Sequence, residues 1–153
     1  MEKINYTIGV YFDEKLEKIA LILKKRPEWQ KGKFNFPGGR IEENETPEEC
    51  VAREFKEECC IYTNKWEWIR IGEIKGEGYV VYILASQHKY QNGELKTGED
   101  QQVMWFNIDN LPCNRIPNVK WIMFYALNII IDLLNGQKYE CLDLNNVFNY
   151  SVK

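Results

Sequence analysis

Apolar, β-branched and aromatic residues crowd Tyr6 to Phe12 and again Leu16 to Leu23, on either side of the polar Asp13-Glu14-Lys15. Such runs, parted by a short polar turn, predict two antiparallel strands in an opening hairpin. From Lys24 to Gly39 the pattern dissolves into a basic and aromatic loop ending in Phe36-Pro37-Gly38-Gly39, where proline and paired glycines interrupt regular structure. Thr46-Pro47-Glu48-Glu49 then reads as a helix start, with Thr46 as N-cap, Pro47 in the first helical position and Glu49 completing a capping box. That helix is predicted to reach about Cys59, with Val51, Ala52, Phe55 and Cys59 on its buried arc. Further strands are predicted over Trp66 to Lys75 and Tyr79 to Ser86, around Gly76-Glu77-Gly78, and over Gln102 to Ile108. Val119, Ile122, Met123, Ala126, Ile130 and Leu133 recur at helical spacing between Asn118 and Asn135, and Gly136 marks the stop of this second helix. Hairpins interrupted by long helices predict an α/β fold, a three-layer α/β/α sandwich with a mixed sheet. No linker or repeat divides the chain, so residues 1–153 are read as a single domain.

The second helix carries more apolar surface than one stripe requires. Trp121, Phe124, Tyr125 and Ile131 fall on its other arcs, so it needs cover from the segment Tyr139 to Tyr150 or from another subunit. A homodimer is expected, anchored by Trp121 and Tyr125, because large aromatics dominate interface energetics.

Composition narrows the setting. Hydrophobic residues at 44% and aromatics at 14% supply one core and exclude a disordered chain. Twenty basic against 23 acidic residues leave a net charge of −3, which argues against a general basic surface for duplex nucleic acid. Trp121 to Leu127 and Ile129 to Ile131, broken by Asn128 and Asp132, are too short to span a bilayer, and no membrane association is expected. Met1-Glu2-Lys3-Ile4-Asn5 lacks the apolar core and cleavage site of a signal peptide. The five cysteines (Cys50, Cys59, Cys60, Cys113 and Cys141) show no C-x-x-C spacing and are read as free thiols, which suits the cytoplasm. The single histidine, His88, excludes multi-histidine zinc sites and reads as a solvated residue at a strand end.

Within the first helix, Glu54, Glu57 and Glu58 sit at i, i+3 and i+4 and share one face. Like charges at that spacing destabilise a helix by a few tenths of a kcal/mol per pair, and only Arg53 answers them in the register. Grouped hard oxygen donors suit Mg²⁺ or Mn²⁺, which keep several waters and bridge substrate phosphates.

Gly39 is followed after five residues by Glu45, and after seven more by Arg53-Glu54-Phe55-Lys56-Glu57-Glu58-Cys59-Cys60-Ile61. This stretch, Gly39 to Ile61, resembles the Nudix box, in which glycine, glutamate and an R-E-U-x-E-E-x-G-U run (U a bulky apolar residue) recur at those intervals. One position departs: Cys60 stands where the family has glycine. A left-handed helix end there costs a non-glycine residue roughly 1 kcal/mol. No redox role is expected for the Cys59 and Cys60 pair, because the helical register points Cys59 inward.

The resemblance implies a hydrolase that cleaves a diphosphate linking a nucleoside to another group, by attack of water on phosphorus with divalent metal. It implies Glu57 and Glu58 as principal Mg²⁺ or Mn²⁺ ligands, Glu54 as a third ligand or general base, and a loop carbonyl, for which Gly38 is the candidate, as a further ligand. Arg53 and Glu45 would pair to fix the loop against the helix, and Glu99 or Asp100 would supply a distal acid. Before the box, Lys24, Lys25, Arg26, Lys31, Lys33 and Arg40 surround the single acid Glu28 in a basic loop that could guide phosphates, and Trp29, Phe34 and Phe36 are candidate base-stacking groups, Phe36 reading rather as packing under the loop. Tyr79 lies where relatives acting on dinucleoside polyphosphates often carry tyrosine. Arg26, Trp29, Arg40 and Tyr79 are therefore the expected substrate contacts. A nucleoside or dinucleoside polyphosphate is the expected substrate, with oxidised nucleotides and ADP-ribose as alternatives. A non-catalytic nucleotide sensor is the competing class, which the intact acids disfavour, and the lack of an extended basic surface disfavours an RNA cap hydrolase.

Overall fold

A computed structural model describes residues 2–146. Among the described residues eight strands form one mixed sheet in the order β3-β2-β1-β6-β5-β8, with β4 also on β1 and β7 also on β2. The strands are β1 (Ile4–Phe12), β2 (Lys18–Leu23), β3 (Phe34–Asn35), β4 (Gly38–Arg40), β5 (Ile69–Gly76), β6 (Tyr79–Gln87), β7 (Val103–Asn107) and β8 (Leu142–Asp143). The helices α1 (Pro47–Cys59) and α2 (Val119–Leu134) cover its faces.

β1 runs parallel to β6 over its whole length, from Ile4 opposite Tyr79 to Phe12 opposite Gln87. Its other edge is divided. Tyr6, Thr7 and Ile8 pair with Arg40, Gly39 and Gly38 of β4, while only Phe12 pairs with Ile19 of β2. The opening hairpin is therefore joined at its mouth alone, because β4 occupies the edge that β2 would need. Beyond that pair β2 bonds instead to β7 and β3.

Side chains alternate across these strands with the period of 2 that a pleated backbone imposes. Val10 and Phe12 of β1 and Ile19 and Leu21 of β2 face α2; Tyr11, Ala20 and Ile22 face α1. Burial on both faces explains why the runs read as continuously apolar.

Both ends of α1 follow from its sequence. The Thr46 hydroxyl accepts the Glu49 N–H at 3.2 Å and donates to the Glu49 carboxylate at 3.0 Å, so the reciprocal arm of the cap uses the hydroxyl rather than the Thr46 N–H. At the other end Cys60 adopts a left-handed conformation (φ 58, ψ 27) and its N–H returns to Phe55 O. Cys60→Gly is therefore expected to stabilise the protein by up to about 1 kcal/mol, as the Cβ penalty is relieved. A thermal melt checks this, and a clear fall in Tm would count against it.

Elsewhere the predicted elements shift. Trp66 belongs to a 3₁₀ turn (Lys65–Glu67) and not to a strand; Glu67 accepts the Asn64 N–H at 2.6 Å and Trp68 Nε1 donates to Thr63 Oγ1 at 2.7 Å. On α2, Ile129 is buried where Leu133 was expected, and Leu133 packs at the margin. Tyr125, partly buried, turns its hydroxyl inward and donates to Ile71 O at 2.9 Å. Of the segment expected to cover α2, Tyr139 packs on the core and Leu144 is buried over Gly72; Val147 to Tyr150 lie outside the described residues. His88 is not solvated, since its Nδ1 lies 2.7 Å from Tyr11 Oη and its ring meets Tyr11 and Trp105 edge-on. All five thiols are free. Among the described residues no helix is long and apolar enough to cross a membrane.

Candidate active site

Gly38 lets β4 lie close on β1, and Gly39 lets α1 approach the sheet. A Cβ on Gly38 would strike the Thr7 carbonyl, and one on Gly39 would strike the Glu54 carboxylate. The second half of α1 therefore presses its acids flush against β4.

Glu58 is only 5% exposed, and its Oε1 accepts the Gly38 N–H at 3.1 Å. Burial, reinforced by Glu54, pushes its carboxyl up to about 8, against the pull of Lys24 and the Gly38 N–H. Glu54 is shifted upward as well, chiefly by burial, with Arg53 opposing.

Arg53 is the hub. Its Nε and Nη2 grip Glu45 at 2.8 and 3.0 Å, its Nη1 meets Glu54 at 3.0 Å, and its Nη2 donates to Arg40 O at 3.1 Å. The bidentate bond holds the Glu45 carboxyl below its ordinary range. Beside it, burial pushes the Cys50 thiol up to about 12, so this sulfur stays protonated and packs against Thr7 and the Arg40 carbonyl.

Glu57 stands apart from the other two acids. Its side chain is 45% exposed and leans on Arg53 at 3.3 Å, the nearest cation one turn back. Among the described residues no three His, Cys, Asp or Glu side chains converge on one point. The donor chemistry nevertheless fits a hard divalent cation: burial raises the proton affinity of both Glu54 and Glu58, Glu54 raises that of Glu58 further, and Glu57 lies on the adjoining turn.

The distal acids separate. Asp100 is held by Arg26 through two bonds of 2.9 Å, whereas Glu99 is close enough for its charge to act on both Glu54 and Glu58. Arg26, expected to face substrate, is thus occupied. Lys24, which sequence reasoning placed only in the basic loop, is half-buried with its charge acting on Glu58 and Glu54, and burial lowers its proton affinity. Gln101, also missed, is buried and accepts the Lys25 N–H at 2.8 Å.

Other candidates are scattered. Phe34 and Phe36 are buried in the α2-side core and cannot stack on a base. Trp29 and Arg40 are exposed flanking residues. Tyr79 lies opposite Ile4 on β1, about 13 Å of strand from Ile8 and Gly38, with its ring over Gly76. A recess of about 440 Å³ between the β1–β2 turn, His88 and Trp105 is lined by none of the α1 acids.

A family model described as NUDIX domain matches residues 4–126. An ADP-ribose pyrophosphatase of Methanocaldococcus jannaschii is 36% identical over 103 residues, covering 65% of this chain and 60% of that protein. The NAD-capped RNA hydrolase NudC of Stutzerimonas stutzeri is 30% identical over 114 residues, covering 72% of this chain and 40% of that protein. The match thus spans less than two thirds of either relative. Among solved structures, a MutT/nudix family protein from Enterococcus faecalis superposes with a TM-score of 0.70 at 18% identity, covering 86% of this chain and 63% of that one.

Proposed function

Since this chain belongs to the NUDIX domain family, we propose that it is a metal-dependent pyrophosphohydrolase cleaving the diphosphate of a nucleoside diphosphate linked to another group. The observation that carries this reading is the pair of a buried Glu58 and a half-buried Glu54, set against Gly38 and Gly39 on one turn of α1. Two carboxyls in so dry a setting destabilise the metal-free protein whenever both are ionised, a cost that makes sense where a cation is to be bound.

Glu54, Glu57 and Glu58, with the carbonyl of Gly38, would hold Mg²⁺ or Mn²⁺. Such an ion would supply positive charge for the phosphoryl oxygens and for activation of the attacking water. The protein's own groups do the rest. Arg53 ties Glu45, Glu54 and the Arg40 carbonyl into one unit, so the loop and helix keep their relative position. Lys24 and the exposed Arg40 place positive charge around an acidic centre, which favours approach of a phosphorylated substrate. Glu99 or Glu54 is the group to accept a proton from the attacking water.

Among substrates, ADP-ribose stands first, because the archaeal relative is an ADP-ribose pyrophosphatase. Residues 1–153 act as one catalytic domain in this reading, in the cytoplasm, where five free thiols are at home. The test is product analysis on ADP-ribose, ordinary and oxidised nucleoside triphosphates, diadenosine polyphosphates and NAD-capped RNA, with Mg²⁺ and with a chelator. Metal-dependent cleavage of a diphosphate bond is expected. Tight nucleotide binding without turnover would instead favour a sensor module.

The chain also self-associates in this proposal, through α2. Trp121 is 55% exposed, and Phe124 and Ile131 continue the same solvent-facing stripe. Lys120 at one end and Asp132 at the other would meet across an antiparallel second copy, so the stripe complements itself in charge as well as in apolar surface. Sedimentation at micromolar concentration is expected to give a dimer that Trp121→Glu converts to monomer. A wild-type monomer at that concentration would refute it.

A further inference from the structure

The segment carrying Glu99 is tied down on both sides. Upstream, the Lys96 N–H bonds to Cys59 O at 2.9 Å and the Gly98 N–H to Glu58 O at 2.8 Å. Gly98 is needed for this approach, because a Cβ there would strike the Glu57 carbonyl. Downstream, both oxygens of Asp100 are bound by Arg26 at 2.9 Å. Next to that pair, Gln101 Oε1 takes the Lys25 N–H at 2.8 Å and Gln102 O takes the Leu23 N–H at 2.8 Å. Glu99 thus sits between the end of α1 and the loop that follows β2, two elements joined in sequence only through distant parts of the chain.

We propose that Arg26 and Asp100 form a latch that positions Glu99 beside Glu54 and Glu58, so that Arg26 serves the site through Asp100 and does not bind substrate. The proposal rests on the hydrolase reading of the α1 acids for its catalytic consequence, though not for its structural one. The fork geometry matters: a guanidinium that spends two N–H groups on one carboxylate fixes both the distance and the plane of its partner. With the side chains 65% and 50% exposed, the pair contributes modestly to stability, so its loss should loosen the loop without unfolding the protein.

Two measurements separate this proposal from the function it builds on. In hydrogen exchange on the full chain without metal or nucleotide, Arg26→Ala and Asp100→Ala should each accelerate the amides of residues 97–101 by about 3- to 5-fold, and the double variant should add nothing. In steady-state kinetics, Arg26→Ala should lower kcat by about 3- to 10-fold with KM unchanged, Arg26→Lys should keep part of the loss away, and Arg26→Ala should have no further effect in a Glu99→Gln background. Unchanged exchange in both single variants would overturn the latch whether or not the protein hydrolyses any nucleotide. A raised KM with intact kcat would overturn it too, by making Arg26 a substrate contact. If the wild type turns over nothing in the substrate panel while the exchange pattern appears, the hydrolase reading fails and the latch stands.

Discussion

Glu57→Gln is expected to lower kcat by at least about 100-fold at saturating Mg²⁺, since it removes a ligand charge and keeps the side-chain volume. The present position of Glu57, leaning on Arg53, does not weaken this expectation. An exposed glutamate exchanges rotamers within nanoseconds, so leaving Arg53 for a cation costs little. The same exposure makes the variant clean: an i,i+4 pair of this kind contributes about 0.3–0.5 kcal/mol to stability, far too little for unfolding to account for a loss of that size. Turnover and thermal melting measured on the same preparation decide the matter. Near-native kcat in the variant would remove Glu57 from the site.

Phe55→Ala should cost about 3–5 kcal/mol, a large share of the 5–15 kcal/mol that holds a typical domain together. Phe55 is fully buried, with ring centroids 5.3 Å from Tyr11 and 4.8 Å from Trp68. The backbone is shaped around it, because Gly9 leaves on β1 the space its ring fills. Refilling that space would require α1 to sink toward the sheet, and the bonds from α1 to β4 and to the Gly98 segment resist this. Denaturant unfolding reads the loss directly, and a fall in Tm of about 6–20 °C should accompany it for a chain of this length. A loss below 1 kcal/mol would mean that the helix is not anchored by this residue.

How much of this was legible in the residues depends on the range of the interaction. The ends of α1 rest on signals a few residues apart, Thr46 with Glu49 and Cys60 with Phe55, and these can be read without knowing the fold. The spacing from Gly39 to Glu58 likewise survives translation into three dimensions, because one loop and one helix hold it. Strands β3, β4 and β8, two or three residues each, exist only through partners far along the chain, and their sequences lack the length for a periodic pattern. The same holds for His88, whose polar neighbours suggested solvent while its partner Tyr11 lies 77 residues earlier in the chain, on the neighbouring central strand. Glu99 and Asp100 were indistinguishable as neighbours in sequence; Arg26, in a different loop, separates them. Local chemistry was readable, and choices made by tertiary partners were not.

The divided edge of β1 bears on the order in which the protein assembles. One edge of this strand is completed only by β6, whose residues lie beyond α1 in the chain, while β4 and β2 share the other. A parallel pairing between Ile4 and Tyr79 closes a long loop, so its entropic cost falls due before any native contact in that pair is gained. Until β1 is seated, β4 has no strand to lie on and Gly38 cannot meet Glu58. Catalytic competence should therefore return in refolding with the slowest cooperative phase and never ahead of it, and no compact intermediate lacking the β1–β6 pairing should show turnover.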